Sequence, residues 1–252
     1  ITQQWRLNGA ITNADAQDRW MLTTPVSYPA DGTAMNTLRK SAANIRLGEY
    51  IADATAESVA RYGLDTPRLV IRLHQAAGTI GAVGTTGSYG GGIYRCSTLL
   101  LRGVMNADWQ ETITRYPVLT ALGNLASLSR ETANGVDTWV ITRTEQVAEN
   151  NELVMDDEGN QVYDIALTKN GEPSDYTAFS AAYNQLMMVT MSGRLPDGWT
   201  AADAPHTVWT FTDVDGTVHT VALTRYDAMH DAVAIDGVAL FYLIQGGFSL
   251  GI

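Results

Sequence analysis

Apolar positions recur along this chain at two spacings, and each spacing predicts a different element. After Asp31, Ala34 and its neighbour Met35 are followed by Leu38, Ala42 and Ile45 at intervals of three and four. After Asp175, the residues Ala178, Phe179, Ala182, Leu186 and Val189 do the same, 144 positions later and without a gap. Such intervals gather each set on one stripe of a helix. Both stripes begin with the pattern P-x-D-x-T-A, at Pro29 and at Pro173. Aspartate at a helix start accepts hydrogen bonds from unpaired N–H groups, and its charge suits the positive helix end. The shared motif is thus explained as a helix start and requires no ligand.

Elsewhere apolar and polar residues alternate, as in half-buried strands. Residues 19–24 and 161–168 precede the two helices, and residues 4–8 and 137–143 come earlier still. Two alternating runs within residues 206–226 flank Asp215-Gly216, and residues 125–142 are arranged likewise around Asn134-Gly135. Both dipeptides favour hairpins, and strands joined so tightly are antiparallel. Residues 155–162 have the composition of a third connection. The expected fold class is α+β, two tandem units that each pack a helix on an antiparallel sheet. The matching order around both helices predicts a duplication; independent use of common helix-start residues is the alternative. Pro117 and Gly123 break the pattern between the halves, so the expected domains are residues 1–118 and 119–252.

A further short helix is predicted from Asp53, as its cap, through Tyr62. Gly63 ends it, since glycine takes the left-handed conformation cheaply, and Pro67 prevents resumption before a strand. Together with the segment around Trp20, Leu22, Pro25, Ala30 and Asp31, the run Tyr62-Gly63-Leu64-Asp65-x-Pro67 resembles the bacterial domain-of-unknown-function family 4340. The resemblance covers residues 19–95, with Tyr94 matching a tyrosine in a later strand. The second half shares only the helix motif and its strands, and lacks the Y-G-L-D-x-P segment. This resemblance implies an exported or membrane-anchored bacterial protein, often encoded beside ABC-type transport or gliding-motility accessory proteins. It implies no catalytic residues.

Composition bounds the remaining possibilities. Hydrophobic residues make up 45% and charged residues 17%, values of a globular chain. The longest apolar run, residues 238–244, is far short of the roughly 18 residues that cross a bilayer. No membrane insertion by this segment is expected. The chain opens at Ile1 without an initiator methionine or leader, which points to an upstream export or anchor segment. A net charge of −11 repels phosphate backbones and anionic headgroups, so nucleic acid is not an expected partner. Cys96 is the only cysteine and reads as a buried strand thiol.

Glycines between residues 78 and 95 suggest a phosphate cradle, yet no lysine lies between Lys40 and Lys169 to complete a P-loop. Gly81, Gly84 and Gly87 have the wrong spacing for a dinucleotide site, and Thr86 before Gly87-Ser88 spoils a nucleophile elbow. A long flexible hairpin connection is expected there. His74, His206, His219 and His230 lack zinc-ligand spacing and read as structural. Asp156, Asp157, Glu158 and Asn160, or Asp213 and Asp215, do not complete a calcium loop and read as turn residues. Trp5, Trp20, Trp139 and Trp209 fall in predicted strands and are expected in the core. Trp109 and Trp199 lie in connections and are the candidates for an exposed contact.

No catalytic, cofactor-binding or metal residue is nominated, and no cofactor is expected. The function expected is a non-catalytic extracytoplasmic module binding a protein partner at the cell envelope. A module binding a small ligand or cell-wall polymer in a groove between the units is the first alternative. A hydrolase with a dispersed site is the second.

Overall fold

Helix formation in the first half begins where the sequence places a carboxylate. In the computed structural model, residues 6–8, 20–67, 69–72, 79–83, 86–149 and 152–252 are described. The Asp31 side chain accepts from the Ala34 N–H at 2.7 Å, and α1 runs Gly32–Ala43. The chain separates into two compact units, Ile1–Thr114 and Arg115–Ile252.

In the first unit β1 (Arg6–Asn8), β2 (Met21–Thr24) and β3 (Tyr28–Pro29) form an antiparallel sheet that leads into α1. Leu22, Tyr28 and Met35 are buried there. A second antiparallel sheet has the order β4-β8-β7-β6-β5. It is built from β4 (Leu47–Asp53), β5 (Leu69–Arg72), β6 (Thr79–Val83), β7 (Thr86–Tyr89) and β8 (Gly92–Cys96). The short α2 (Ala56–Arg61) follows β4, and α3 (Thr98–Met105) follows β8. Cys96 and Leu101 pack with Ile45, Leu47 and Met105.

Two expectations are corrected in this unit. Asp53 does not cap α2; it closes β4, and Thr55 is the cap. Thr55 and Ser58 each satisfy the other's backbone N–H, a reciprocal pairing that satisfies two orphan donors where one carboxylate two residues away satisfies neither. The glycine-rich stretch is not a long flexible connection. Its described residues form β6, β7 and the start of β8, with Gly81 opposite Ser88 and Gly87 opposite Ala82. Ladder pairing has overridden glycine's poor strand propensity, and Gly90-Gly91, at φ 57° and 82°, makes the tight turn.

The second unit holds one nine-stranded antiparallel sheet of order β12-β11-β10-β9-β14-β15-β16-β17-β13. Its central strands are β9 (Leu125–Thr132), β10 (Gly135–Glu145), β14 (Thr207–Asp213), β15 (Val218–Arg225), β16 (His230–Ile235) and β17 (Val238–Ile244). Toward the edges lie β11 (Tyr163–Lys169), β12 (Glu172–Ser174) and β13 (Gly193–Arg194). The helix α4 (Tyr176–Met187) lies on one face, its start fixed by Asp175, which accepts from the Thr177 and Ala178 N–H groups. Phe179 lies against Trp139 with ring centres 6.2 Å apart, and Tyr183 meets Phe211 edge-on. Trp139 and Trp209 stack at 6.4 Å with planes 13° apart. Each aromatic pair contributes about 0.5–1.5 kcal/mol beyond its burial. The fold is α+β, helices on antiparallel sheets.

Details of this unit also differ from expectation. Ala178 is exposed, and the buried stripe runs through Phe179, Tyr183 and Leu186, because the large rings and not the alanines face the sheet. The β9–β10 turn is Ala133-Asn134, with Gly135 already opposite Thr132. Asp215-Gly216 sits within a four-residue connection, since Asp213 N–H bonds across to the Thr217 carbonyl. Two tight hairpins not anticipated are Asn170-Gly171, between β11 and β12, and Asp236-Gly237, between β16 and β17, both with positive φ at each central residue.

α1 and α4 have equal length at the 144-residue offset, and Met35 and Phe179 are both buried. Their hairpins differ in register: Pro29 pairs with Met21, whereas Pro173 pairs with Thr168, three residues beyond the counterpart of Met21.

Candidate contact surface

Residues 192–245 bring four rings together on the sheet face away from α4. Trp199 meets Tyr226 edge-on at 6.0 Å, Tyr226 stacks on Tyr242 at 5.2 Å, and His230 lies 4.9 Å from Tyr242. Strand pairing sets this arrangement. Gly193 of β13 stands opposite Tyr242 of β17, and a Cβ at that glycine would run into the Tyr242 hydroxyl oxygen. Only glycine leaves room for the ring. All four rings are half-buried, each offering some surface to solvent.

Asp227 fixes the turn beneath them. It accepts from the Met229 N–H at 2.7 Å and the His230 N–H at 2.8 Å, and lies 3.0 Å from His230 Nδ1. These donors, the Met229 amide foremost, hold its carboxyl below the usual carboxylate range. An ionised carboxylate only accepts, so the His230 Nδ1 is the donor in this contact.

Two further histidines face aspartates. His219 Nδ1 lies 2.9 Å from Asp236, and His206 Nε2 lies 3.2 Å from the buried Asp231, which Arg225 also approaches at 3.9 Å. These pairs stand apart: among the described residues no three His, Cys, Asp or Glu side chains gather as a metal site would require. His74, Trp5 and Gly84 lie outside the described residues. Trp139 and Trp209 are core residues, and Trp20 is half-buried just before β2. Trp109 opens a 3-10 turn (Trp109–Glu111) and is half-buried, its carbonyl taken by the Thr112 hydroxyl at 2.7 Å. Burial pushes the Cys96 thiol up, away from nucleophilic reactivity. Asp156 closes its own turn, accepting from the Glu158 and Asn160 N–H groups. Asp215 accepts from the Thr217 N–H.

Of the two tryptophans expected at a contact, Trp199 thus joins a ring cluster. Its partners Tyr226, Tyr242 and Asp227 were not anticipated. The i to i+3 spacing of Asp227 and His230 is a readable turn signal, but the pairing of Gly193 with Tyr242 is long-range.

In the first unit the run Tyr62-Gly63-Leu64 forms a helix stop. Gly63, at φ 65°, donates to the Ala60 carbonyl, and Leu64 donates to the Val59 carbonyl at 2.8 Å while burying its side chain. This paired closure explains why a glycine and then an apolar residue end the helix. Residues 20–95 match the family model DUF4340, a domain of unknown function. The DUF4340 match begins at Trp20, takes in α1, α2 and this helix stop, and ends in β8. No curated protein and no solved structure matches the chain. No described helix is long and apolar enough to cross a membrane.

Proposed function

We propose that the chain is a non-catalytic binding module of a membrane-associated complex, working outside the cytoplasm and engaging a protein partner. The observation that carries this reading is the half-buried cluster Trp199–Tyr226–Tyr242, held on a nine-stranded platform by ring packing and Gly193. Tryptophan and tyrosine dominate the energetics of protein contacts, because rigid rings bury much area at little entropic cost. The rings already pack on one another, which suits a broad protein contact better than insertion of a small ligand between them. The envelope setting carries forward the expectation that the sequence resemblance raised, and the family match itself assigns no location. The test places a photo-crosslinking residue at Trp199 or at Tyr226 in the native cell. Crosslinked partners in the detergent-extracted envelope fraction are expected. Recovery of the protein from the cytosol with no crosslinked species would refute the reading.

We also propose that the segments β2-β3-α1 and β11-β12-α4 descend from one duplicated hairpin–helix piece. The aspartate caps, the equal helices and the buried Met35 and Phe179 support it; the three-residue change of register dates from later divergence of the turns. Sequence profiles built from relatives of each half should detect the other half, and failure to do so would count against common descent.

A further inference from the structure

A second surface lies in the connection between β10 and β11. From Thr144 to Thr168 the chain has no lysine or arginine, yet it carries Glu145, Glu149, Glu152, the triplet Asp156–Glu158 and Asp164. The same stretch exposes apolar side chains: Val147, Leu153, Met155, Tyr163 and Ile165 are each between 40% and 53% exposed. Backbone pairing orders them. Val147 bridges Leu153, and Met155 bridges Gln161. Gln146, Val154 and Val162 bond to one another through N–H and carbonyl groups at 2.9–3.0 Å. Residues directly opposite share a face, and so do residues two apart. Val147, Leu153, Met155 and Tyr163 therefore form one row, while Gln146, Val154 and Val162, all half-buried, occupy the other side.

Beside this row the sheet is unfinished. β12 pairs only with Leu167–Lys169 of β11, and no described strand pairs with Tyr163–Ala166 on the side away from β10. Lys169 and Glu172 flank a two-residue turn and so exchange hydrogen bonds. By alternation Tyr163 and Ile165 direct their backbone groups to that same open side.

We infer that this ribbon and the open edge of β11 bind an extended segment of a partner protein that alternates basic and apolar residues, added as a further strand. The open backbone supplies the ladder, the exposed row takes alternate apolar side chains, and the carboxylates select and steer a cationic partner. A second copy fits poorly, since it would bring the same carboxylates against their equals. The inference rests on the binding-module reading only in taking a protein as the partner, and it concerns a different surface from the ring cluster.

The probe is a fluorescent nonapeptide of alternating lysine and valine, with its glutamate–valine counterpart as control, titrated against the full chain. The lysine peptide should bind on the order of tenfold tighter or more, and more weakly as salt rises. Binding should slow hydrogen exchange at Tyr163 and Ile165. The double variant Leu153→Lys with Met155→Lys should lose at least about tenfold in affinity, with its melting temperature nearly unchanged because both side chains are exposed. Equal binding of the two peptides, or an unaffected double variant, overturns the inference. So does a concentration-dependent dimer that the double variant abolishes, which would make the occupant a second copy. Crosslinking from Trp199 separates the two proposals. An envelope partner found by the wild type, together with a peptide that fails to bind, removes only the ribbon inference. A wild type that captures no envelope partner yet binds the lysine peptide removes only the ring-cluster reading.

Discussion

At Gly193 a single absent methyl group decides the shape of the ring cluster. Replacing it with alanine drives a carbon into the hydroxyl end of Tyr242, so the ring must shift against its stack on Tyr226. Gly193→Ala should cost about 1–3 kcal/mol in urea unfolding and should change the fluorescence of Trp199. Single carboxylates matter in another way. Asp137 is held below the usual range chiefly by the Arg130 side chain, Asp156 by the Asn160 amide and Asp227 by the Met229 amide. Each stabilises fully above about pH 4, where free aspartates ionise, and the contribution is lost as pH falls through the lowered folded values. Thermal melts should be level near neutrality and drop on acidification below about pH 4, and the drop should shrink in Asp156→Asn. Both cap aspartates, Asp31 and Asp175, were readable because a cap is local. The pairs of His219 with Asp236 and His206 with Asp231 were not, because strand pairing makes them neighbours across many residues of chain.

Among elements, the helices were the most legible, since a cap plus periodic apolar residues specifies a helix without tertiary help. Which side of α4 is buried was less legible. Ala178 and Phe179 are adjacent, both apolar, and only contact with Trp139 distinguishes them. Phe179→Ala should cost about 3–5 kcal/mol, whereas Ala178→Ser should stay within about 0.5 kcal/mol, both measured by chemical denaturation. The glycine-rich strands were hidden because their stability comes from ladder partners and not from propensity. The Asn170-Gly171 hairpin was spelled out in the sequence and is reinforced, since Asn170 Oδ1 also accepts from the Thr138 N–H at 2.8 Å. Asn170→Ala loses that bond and forces a methyl-bearing residue into φ 54°, which costs roughly 1–2 kcal/mol; a lowered urea midpoint with unchanged slope would register it.

For the molecule as a whole, the second unit has what independent folding requires. Its sheet is continuous, and its interior is filled by Trp139, Trp209, Phe179, Tyr183, Phe211 and Phe241. A fragment of residues 115–252 should fold alone with one cooperative melt and the circular dichroism of an antiparallel sheet. A fragment that stays unfolded would show that this core is insufficient. The α+β class was legible from alternation and turn dipeptides, but the joining of nine strands into one sheet was not, because β9 finds β14 across the intervening helix and hairpins.

The near-parallel indoles of Trp139 and Trp209 give this unit a private optical signal. Two identical chromophores so close share their electronic excitation, and a skew between their in-plane transition moments should split the circular dichroism band in a way that neither ring shows alone. That band belongs to the sheet of residues 115–252 and vanishes when the rings part. Its loss on heating or acidification would time the opening of one half of the chain without any attached label, and Trp139→Phe would erase it while leaving an aromatic ring in place.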